Sequence, residues 1–134
     1  MKVYLATRFT NRDFARAFQA KVLSMRPKDG VKIEFIQTWT EEPVELVLDE
    51  MRQKELAYRD MRELDEADAL FLLTEGCDMA PGGMHFEAGY AYAEGKHVVV
   101  IGPRVTVFYH MGFFNWYPSV QDFLASDFES AFNE

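Results

Sequence analysis

The 134-residue sequence predicts one three-layer α/β domain, residues 1–134, with a mostly parallel sheet of four or five strands. Short apolar runs recur along the chain, helical patterns alternate with them, and no linker, internal repeat or low-complexity segment interrupts the series. Because strands and helices that alternate in this way cover both faces of a parallel sheet, we expect a doubly wound arrangement of the Rossmann or flavodoxin type.

The N-terminal quarter of the chain predicts a strand, a helix and a second strand. Residues 3–6 form a brief apolar run, and Thr10 or Asn11 provides N-cap chemistry for the helix that follows. The apolar stripe of this helix is expected to comprise Phe14, Phe18 and Val22. Residues 27–30 end the helix, and apolar residues alternate with polar ones over 31–35 as they do in a strand.

A long helical pattern follows, from about residue 44 to residue 67, and Asp60 is its most interesting side chain. The apolar face is expected to comprise Ala57, Met61 and Leu64. Asp60 lies on the edge of that face, where a carboxylate costs free energy unless it is paired or solvated. It is therefore a better functional candidate than Glu63, Asp65 or Glu66, which we interpret as solvated surface. The alternative for Asp60 is a salt bridge with Arg59 or Arg62, worth little at a surface.

The stretch that organises the sequence is a glycine turn at residues 81–83, which leads into a short helix. Apolar runs at 69–73 and 97–101 flank this unit, so we expect a strand, a glycine loop, a helix that stops at Gly95, and a strand. If the helix begins near Met84, Glu87 lies in its first turn, where free N–H groups favour the ionised carboxylate by roughly 0.3–1 kcal/mol. Glu87 is then a candidate nucleophile or cation stabiliser. Alternatively, it only complements the helix dipole.

The C-terminal third of the chain predicts an aromatic tract, residues 105–117, and a last helix over 119–132. Loops at residues 7–11, 74–84 and 102–108 are expected to meet beyond the carboxyl ends of the strands, where ligands bind in such sheets.

Three side chains near these loops have two interpretations each. Arg8 and Arg12 lie at the start of the first helix, where a guanidinium and free N–H groups can hold a phosphate, or they are simply surface residues. Trp39, in a polar loop, is either a lid over a ligand or a plug over the core.

Composition narrows the function classes. A formal net charge of −8 without a basic run argues against a nucleic-acid partner, whose phosphates require cationic neutralisation. The single cysteine, Cys77, excludes an intrachain disulfide, and the three histidines lack the spacing of a metal site. No apolar run approaches the length of a signal peptide or membrane span, so we expect a soluble cytoplasmic protein without a membrane partner.

Several motifs together resemble the nucleoside 2-deoxyribosyltransferase-like family, which includes deoxyribosyltransferases and nucleotide N-glycoside hydrolases. Asp60 stands eight residues before Asp68, and Glu87 lies within Gly-Met-His-Phe-Glu-Ala-Gly-Tyr-Ala. The other matching segments are Val3–Ala6, Gly95–Lys96 and, as in a bacterial and phage branch, Arg8–Phe9, Thr38–Trp39, Gly102–Arg104 and Val107–Phe108. The resemblance covers most of the chain.

The resemblance implies cleavage or transfer at an N-glycosidic bond of a nucleoside or nucleotide. Glu87 would attack or stabilise the anomeric carbon, Asp60 would hold or protonate the leaving base, and Tyr4 would orient Glu87. The expected substrate contacts are Thr7, Arg8, Phe9, Arg12, Trp39, Gly82, Gly83 and Met84. No cofactor or metal ion is implied. Members complete each site with a neighbouring subunit, which implies a homo-oligomer, and the aromatic tract is either that interface or part of the chain's own core.

The sequence departs from the family pattern at two positions. Pro81 stands where transferases carry an aspartate, and Met84 stands where the related branch often has arginine. Three hypotheses follow: a nucleoside glycosyl transferase or hydrolase, a nucleoside 5′-monophosphate hydrolase that uses Arg8 or Arg12, and a nucleotide-binding module without catalysis.

Overall fold

The centre of the computed structural model, which describes residues 1–25, 32–42, 49–76 and 82–126, is a sheet of five parallel strands. The strands are β1 (Lys2–Ala6), β2 (Glu34–Phe35), β3 (Ala69–Leu73), β4 (His97–Ile101) and β5 (Asn115–Tyr117). Their order across the sheet is β2-β1-β3-β4-β5, and every neighbouring pair is parallel. The predicted α/β class and strand number are thereby confirmed.

Helices cover both faces of the sheet. They are α1 (Arg12–Met25), α2 (Glu50–Glu66), α3 (Gly83–Ala93) and α4 (Val120–Ala125). On one face Phe18 of α1 packs against Phe123 of α4, with ring centroids 5.8 Å apart. On the other face Tyr90 of α3 donates a hydrogen bond to Asp65 of α2. Because both faces are covered, all five residues of β3 are buried, which explains its uninterrupted apolar run.

The buried faces of α1 and α2 differ from those predicted. Phe14 is 38% exposed, because Ala15 rather than Phe14 shares the buried face of α1 with Phe18 and Val22. In α2 Leu64 is the buried residue, whereas Met61 is only partly buried and Ala57 is exposed. Since α2 is charged nearly all round, only its C-terminal end enters the core.

The glycine that was predicted to stop α3 does so. Gly95 has a φ of 73° and donates to the Tyr92 carbonyl at 3.1 Å, and the Lys96 N–H donates to the Ala91 carbonyl at 3.0 Å. These two bonds form a Schellman C-cap, which satisfies carbonyls that the helix end leaves free. The chain can therefore turn directly into β4.

The aromatic tract divides between the core and the surface. Tyr109 and Phe114 are buried, whereas Val107 and Phe108 are 77% and 66% exposed.

In the described part of the chain, no helix combines the length and apolar character needed to cross a membrane. Helix α2 begins at Glu50, capped by Asp49, rather than near residue 44, and α4 ends at Ala125 rather than at 132. The predicted helix stop at 27–30, Cys77 and Pro81 lie outside the described residues.

Candidate active site

Tyr4, Asp60 and Glu87 converge from three different elements at one edge of the core. Tyr4 lies on β1, is completely buried, and donates a hydrogen bond from its hydroxyl to Glu87 Oε2 on α3. Asp60 lies on α2, close enough for its charge to raise the pKa values of both Glu87 and Tyr4. The sequence resemblance paired these residues across 83 positions, and the fold brings them together.

Burial controls the protonation of Glu87 and Tyr4. Removal from water raises the pKa of Glu87 from an ordinary 4.5 to about 7, the Tyr4 hydrogen bond opposes this rise, and the charge of Asp60 adds to it. Burial and the two carboxylates also raise the pKa of Tyr4 far above its ordinary value. Tyr4 is therefore a permanent hydrogen-bond donor, while Glu87 exchanges its proton near neutral pH.

The prediction that Glu87 lies in the first turn of its helix is wrong. Helix α3 begins at Gly83, and the amide of Phe86 already donates to the Gly82 carbonyl at 2.8 Å. Glu87 is thus past the four residues whose N–H groups lack an intrahelical partner. The helix end consequently does not hold Glu87 ionised, and burial shifts its pKa in the opposite direction.

Asp60 is partly buried and has a cation beside it. Arg59 donates to Asp60 Oδ1 from Nη2 at 3.1 Å and from Nε at 3.3 Å. Burial raises the pKa of Asp60, Arg59 lowers it, and the charges of Glu63 and Glu42 raise it. The salt bridge that was offered as the alternative to a functional role therefore exists at the same residue that faces Glu87.

A cavity of about 230 Å³ lies between the loop that follows the strand of Tyr4 and the start of the helix of Glu87. It is lined by Thr7, Arg8, Phe9, Thr10, Gly83 and Met84, which join the loop after β1 to the start of α3. Asn11 Nδ2 donates to the Glu75 carbonyl at 3.4 Å, and Thr74 Oγ1 donates to the Pro103 carbonyl at 2.8 Å. The three loops expected to meet at the carboxyl edge of the sheet are in contact through these bonds.

The two arginines near the start of α1 have different surroundings. Arg8 lines the cavity, and its guanidinium makes no hydrogen bond or ion pair with another described residue. Arg12 instead donates to the Glu42 carbonyl and lies 3.8 Å from Asp13. Arg12 is therefore engaged in holding a neighbouring segment, and Arg8 is the better placed of the two for a ligand.

Trp39 has the geometry of a plug. It is only 7% exposed, and its indole Nε1 donates to the Leu5 carbonyl at 2.8 Å. Its ring lies 6.3 Å from that of Phe9, which lines the cavity. A direct contact between Trp39 and substrate stays a prediction, as does a contact at Gly82, the residue before α3.

Sequence reasoning named Arg59 as a partner of Asp60 but missed the contacts of two neighbouring carboxylates, Glu42 and Glu63. Glu42 accepts a hydrogen bond from Arg59, and Glu63, interpreted from the sequence as solvated surface, accepts bonds from the Thr38 amide at 3.0 Å and hydroxyl at 2.7 Å. No local signal indicates these pairs, since each joins segments that are distant in sequence.

Within residues 1–25, 32–42, 49–76 and 82–126, no group of three or more His, Cys, Asp or Glu side chains is placed to hold a metal ion.

Two solved structures share this fold over nearly the whole chain. A conserved protein from Enterococcus faecalis V583 is 15% identical with a TM-score of 0.65, and the match covers 97% of this chain and 98% of that one. The CMP N-glycosidase of Clostridium botulinum is 14% identical with a TM-score of 0.55, covering 92% and 95%. No curated protein matches the sequence. The family model described as nucleoside 2-deoxyribosyltransferase matches residues 3–132, so the chain belongs to the nucleoside 2-deoxyribosyltransferase family.

Proposed function

We propose that this protein cleaves or transfers the N-glycosidic bond of a (deoxy)nucleoside or nucleotide. Family membership supports the bond type. The observation that carries the assignment of roles is the convergence of Tyr4, Asp60 and Glu87, with a Glu87 pKa of about 7. Both protonation states of Glu87 are therefore accessible near neutral pH, and a partly buried carboxylate suits a site where positive charge develops.

Each of the three side chains has one role in the proposed reaction. As the bond between C1′ and the base nitrogen breaks, its electron pair goes to the base, and an ionised Glu87 oxygen meets the oxocarbenium-like C1′. Asp60 holds or protonates the departing base. Tyr4 keeps Glu87 in position through its hydrogen bond. Attack on C1′ by water, whose proton passes to Asp60 or to the departed base, then displaces the Glu87 oxygen and completes hydrolysis, whereas attack by a second base displaces it and completes a transfer.

A nucleoside 5′-monophosphate is the second candidate substrate, and Arg8 is the observation that favours it. The Arg8 guanidinium has no described partner and lines a cavity next to the start of α3. A phosphate in that cavity would gain charge-assisted hydrogen bonds from the guanidinium. The structurally similar CMP N-glycosidase makes CMP a sensible member of the substrate panel.

A chromatographic assay tests the proposal. Deoxynucleosides, their 5′-monophosphates and CMP are incubated with the protein, with and without a second free base, and the products are separated. Glu87→Gln removes the reacting oxygen with little change in shape. Glu94→Gln is the matched control, because Glu94 follows the same helix and is exposed.

We expect base release by the wild type and the Glu94 variant but not by Glu87→Gln. Exchange for the second base identifies a transferase, and release without exchange identifies a hydrolase. If no substrate changes, the proposal fails, and tight binding of an unaltered nucleotide would identify the non-catalytic binding module instead. A homo-oligomer and a cytoplasmic location stay predictions.

A further inference from the structure

Arg59 connects the candidate active site to the segment of chain that precedes α2. Its Nη1 donates to Glu42 Oε1, while Nη2 and Nε donate to Asp60 Oδ1. One guanidinium therefore binds two carboxylates at once, one in the site and one outside it. The Arg59, Glu42 and Asp60 side chains are 22%, 14% and 28% exposed, so the group is screened by solvent less than a surface ion pair.

The contact between Arg59 and Asp60 is not an ordinary pairing along a helix. Consecutive residues of an α-helix point in different directions and do not face one another. Arg59 reaches its neighbour only because its side chain is turned toward the site, and Glu42 provides the second anchor that holds it there. Three N–H donors of the planar Arg59 guanidinium take part in these bonds, and the ammonium group of lysine cannot reproduce this geometry.

Glu42 is itself held firmly. Its carboxylate lies 3.4 Å from Arg52 Nη2, and its backbone carbonyl accepts a hydrogen bond from Arg12. At the other end of the same short segment, Thr38 is bound to Glu63 of α2. The segment from Thr38 to Glu42 is thus fastened at both ends, and its position determines where Arg59 points.

The charges around Asp60 show why a counter-ion matters. Glu63 faces it from α2, Glu42 from the segment before α2, and Glu87 from α3, while the neutral Tyr4 hydroxyl faces it from β1. Among the described residues, Arg59 is the cation that bonds to Asp60. Like charges disfavour ionisation of a carboxylate, and a bound guanidinium favours it. Burial and the neighbouring carboxylates leave the pKa of Asp60 raised, and Arg59 opposes this rise through its hydrogen bonds and its charge.

We infer that Arg59 is a positioning residue that orients the Asp60 carboxylate in the site and serves as its counter-ion, with Glu42 as the anchor of Arg59. The catalytic meaning of this inference rests on the proposed function. The effect of Arg59 on the protonation of Asp60 can be measured without any substrate.

The first test is a carboxyl ¹³C NMR titration of Asp60, assigned with Asp60→Asn. We expect Arg59→Met to move the Asp60 midpoint to higher pH and Arg59→Lys to lie nearer the wild type. Arg62→Met is the matched control, because Arg62 is exposed on the same helix. An Asp60 midpoint that is the same in wild type, Arg59→Met and Arg62→Met would overturn the inference.

The second test uses the substrate that the chromatographic assay identifies. Loss of positioning in Arg59→Met should lower kcat by about 10²-fold while KM changes little, with partial recovery in Arg59→Lys. An unchanged kcat beside a shifted titration would overturn the positioning role. If the wild type acts on no substrate, the proposed function fails, and the titration alone supports or overturns the assignment of Arg59 as counter-ion.

Discussion

Helix α3 contributes one residue to each of two tyrosine–carboxylate pairs that are chemically alike and physically different. In the first, Tyr4 donates to Glu87, and in the second, Tyr90 donates to Asp65. In the first pair Tyr4 is completely buried and Glu87 is partly buried, and a second carboxylate, Asp60, is close enough for its charge to raise the pKa of Glu87. The second lies at the surface, and the hydrogen bond to Asp65 raises the pKa of Tyr90 to about 12.

Removal from water, rather than pairing with a tyrosine, raises the pKa of Glu87, because the Tyr4 hydrogen bond acts in the opposite direction. In the exposed pair, water solvates the carboxylate, and the surrounding contacts are structural. Lys96 Nζ donates to the Asp65 carbonyl at 2.9 Å and to the Ala67 carbonyl at 2.7 Å, which fastens the end of α2 to the turn after α3. In the pair of Tyr4 and Glu87, desolvation leaves Glu87 with a pKa of about 7 and thus with both protonation states accessible at physiological pH.

The largest expected effect is a difference in kcat/KM between variants in which Glu87 and Asp65 are neutralised separately. We expect Glu87→Gln to lower kcat/KM by at least about 10³-fold, because it removes the group that meets C1′. Asp65→Asn should leave kcat/KM unchanged, since Asp65 is exposed and remote from the cavity. Steady-state rates of base release measure both. Equal losses of kcat/KM in the two variants would show that Glu87 has no special role in the reaction.

The next largest expected effect is on the pH dependence of kcat/KM. If ionised Glu87 is required, kcat/KM rises with pH through about 7 as the carboxylate loses its proton. The Tyr4 hydrogen bond favours the ionised form, so Tyr4→Phe should raise the pKa of Glu87 and move the acidic limb to higher pH. Tyr90→Phe is the control and should leave the limb in place. A limb that moves to lower pH in Tyr4→Phe would contradict this account.

As the pH rises through 7, we expect the free energy of unfolding to fall while kcat/KM rises. Because the folded state raises the pKa of Glu87 from 4.5 to about 7, this group contributes stability that is complete below pH 4.5 and lost as pH rises through 7. The difference corresponds to roughly 3 kcal/mol. Glu87→Gln should therefore increase the free energy of unfolding at pH 8 relative to wild type and much less at pH 4. Denaturant unfolding at the two pH values measures this, and a variant that is destabilised at pH 8 would refute it.

The sequence predicted the sheet well because its signals are local. The aliphatic run of β3 and the glycine stop of α3 depend on neighbours in sequence, and both occur as expected. The roles of Tyr4, Asp60 and Glu87 came from the family resemblance, since no periodicity relates residues 83 positions apart.

What the sequence could not predict depends on tertiary neighbours. The protonation of Glu87 was predicted with the wrong sign, because its position relative to the helix end was off by less than a turn and its burial is set by β1 and α2. Arg59 and Glu42 are 17 positions apart, so their contact depends on where the segment before α2 lies. The choice of Ala15 over Phe14 for the core likewise depends on how α1 approaches the sheet.

Breaking the structural contact near the exposed pair should have the smallest effect. Lys96→Met removes the donor to the Asp65 and Ala67 carbonyls while it keeps much of the apolar stem. We expect the free energy of unfolding to fall by about 1 kcal/mol, the typical net value of a hydrogen bond, and kcat/KM to stay at the wild-type value. Lys54→Met, on the exposed face of α2, is the control for removal of a positive charge. If Lys96→Met lowered kcat/KM as well, the far end of α3 would be coupled to Glu87, and the two pairs could no longer be treated as independent.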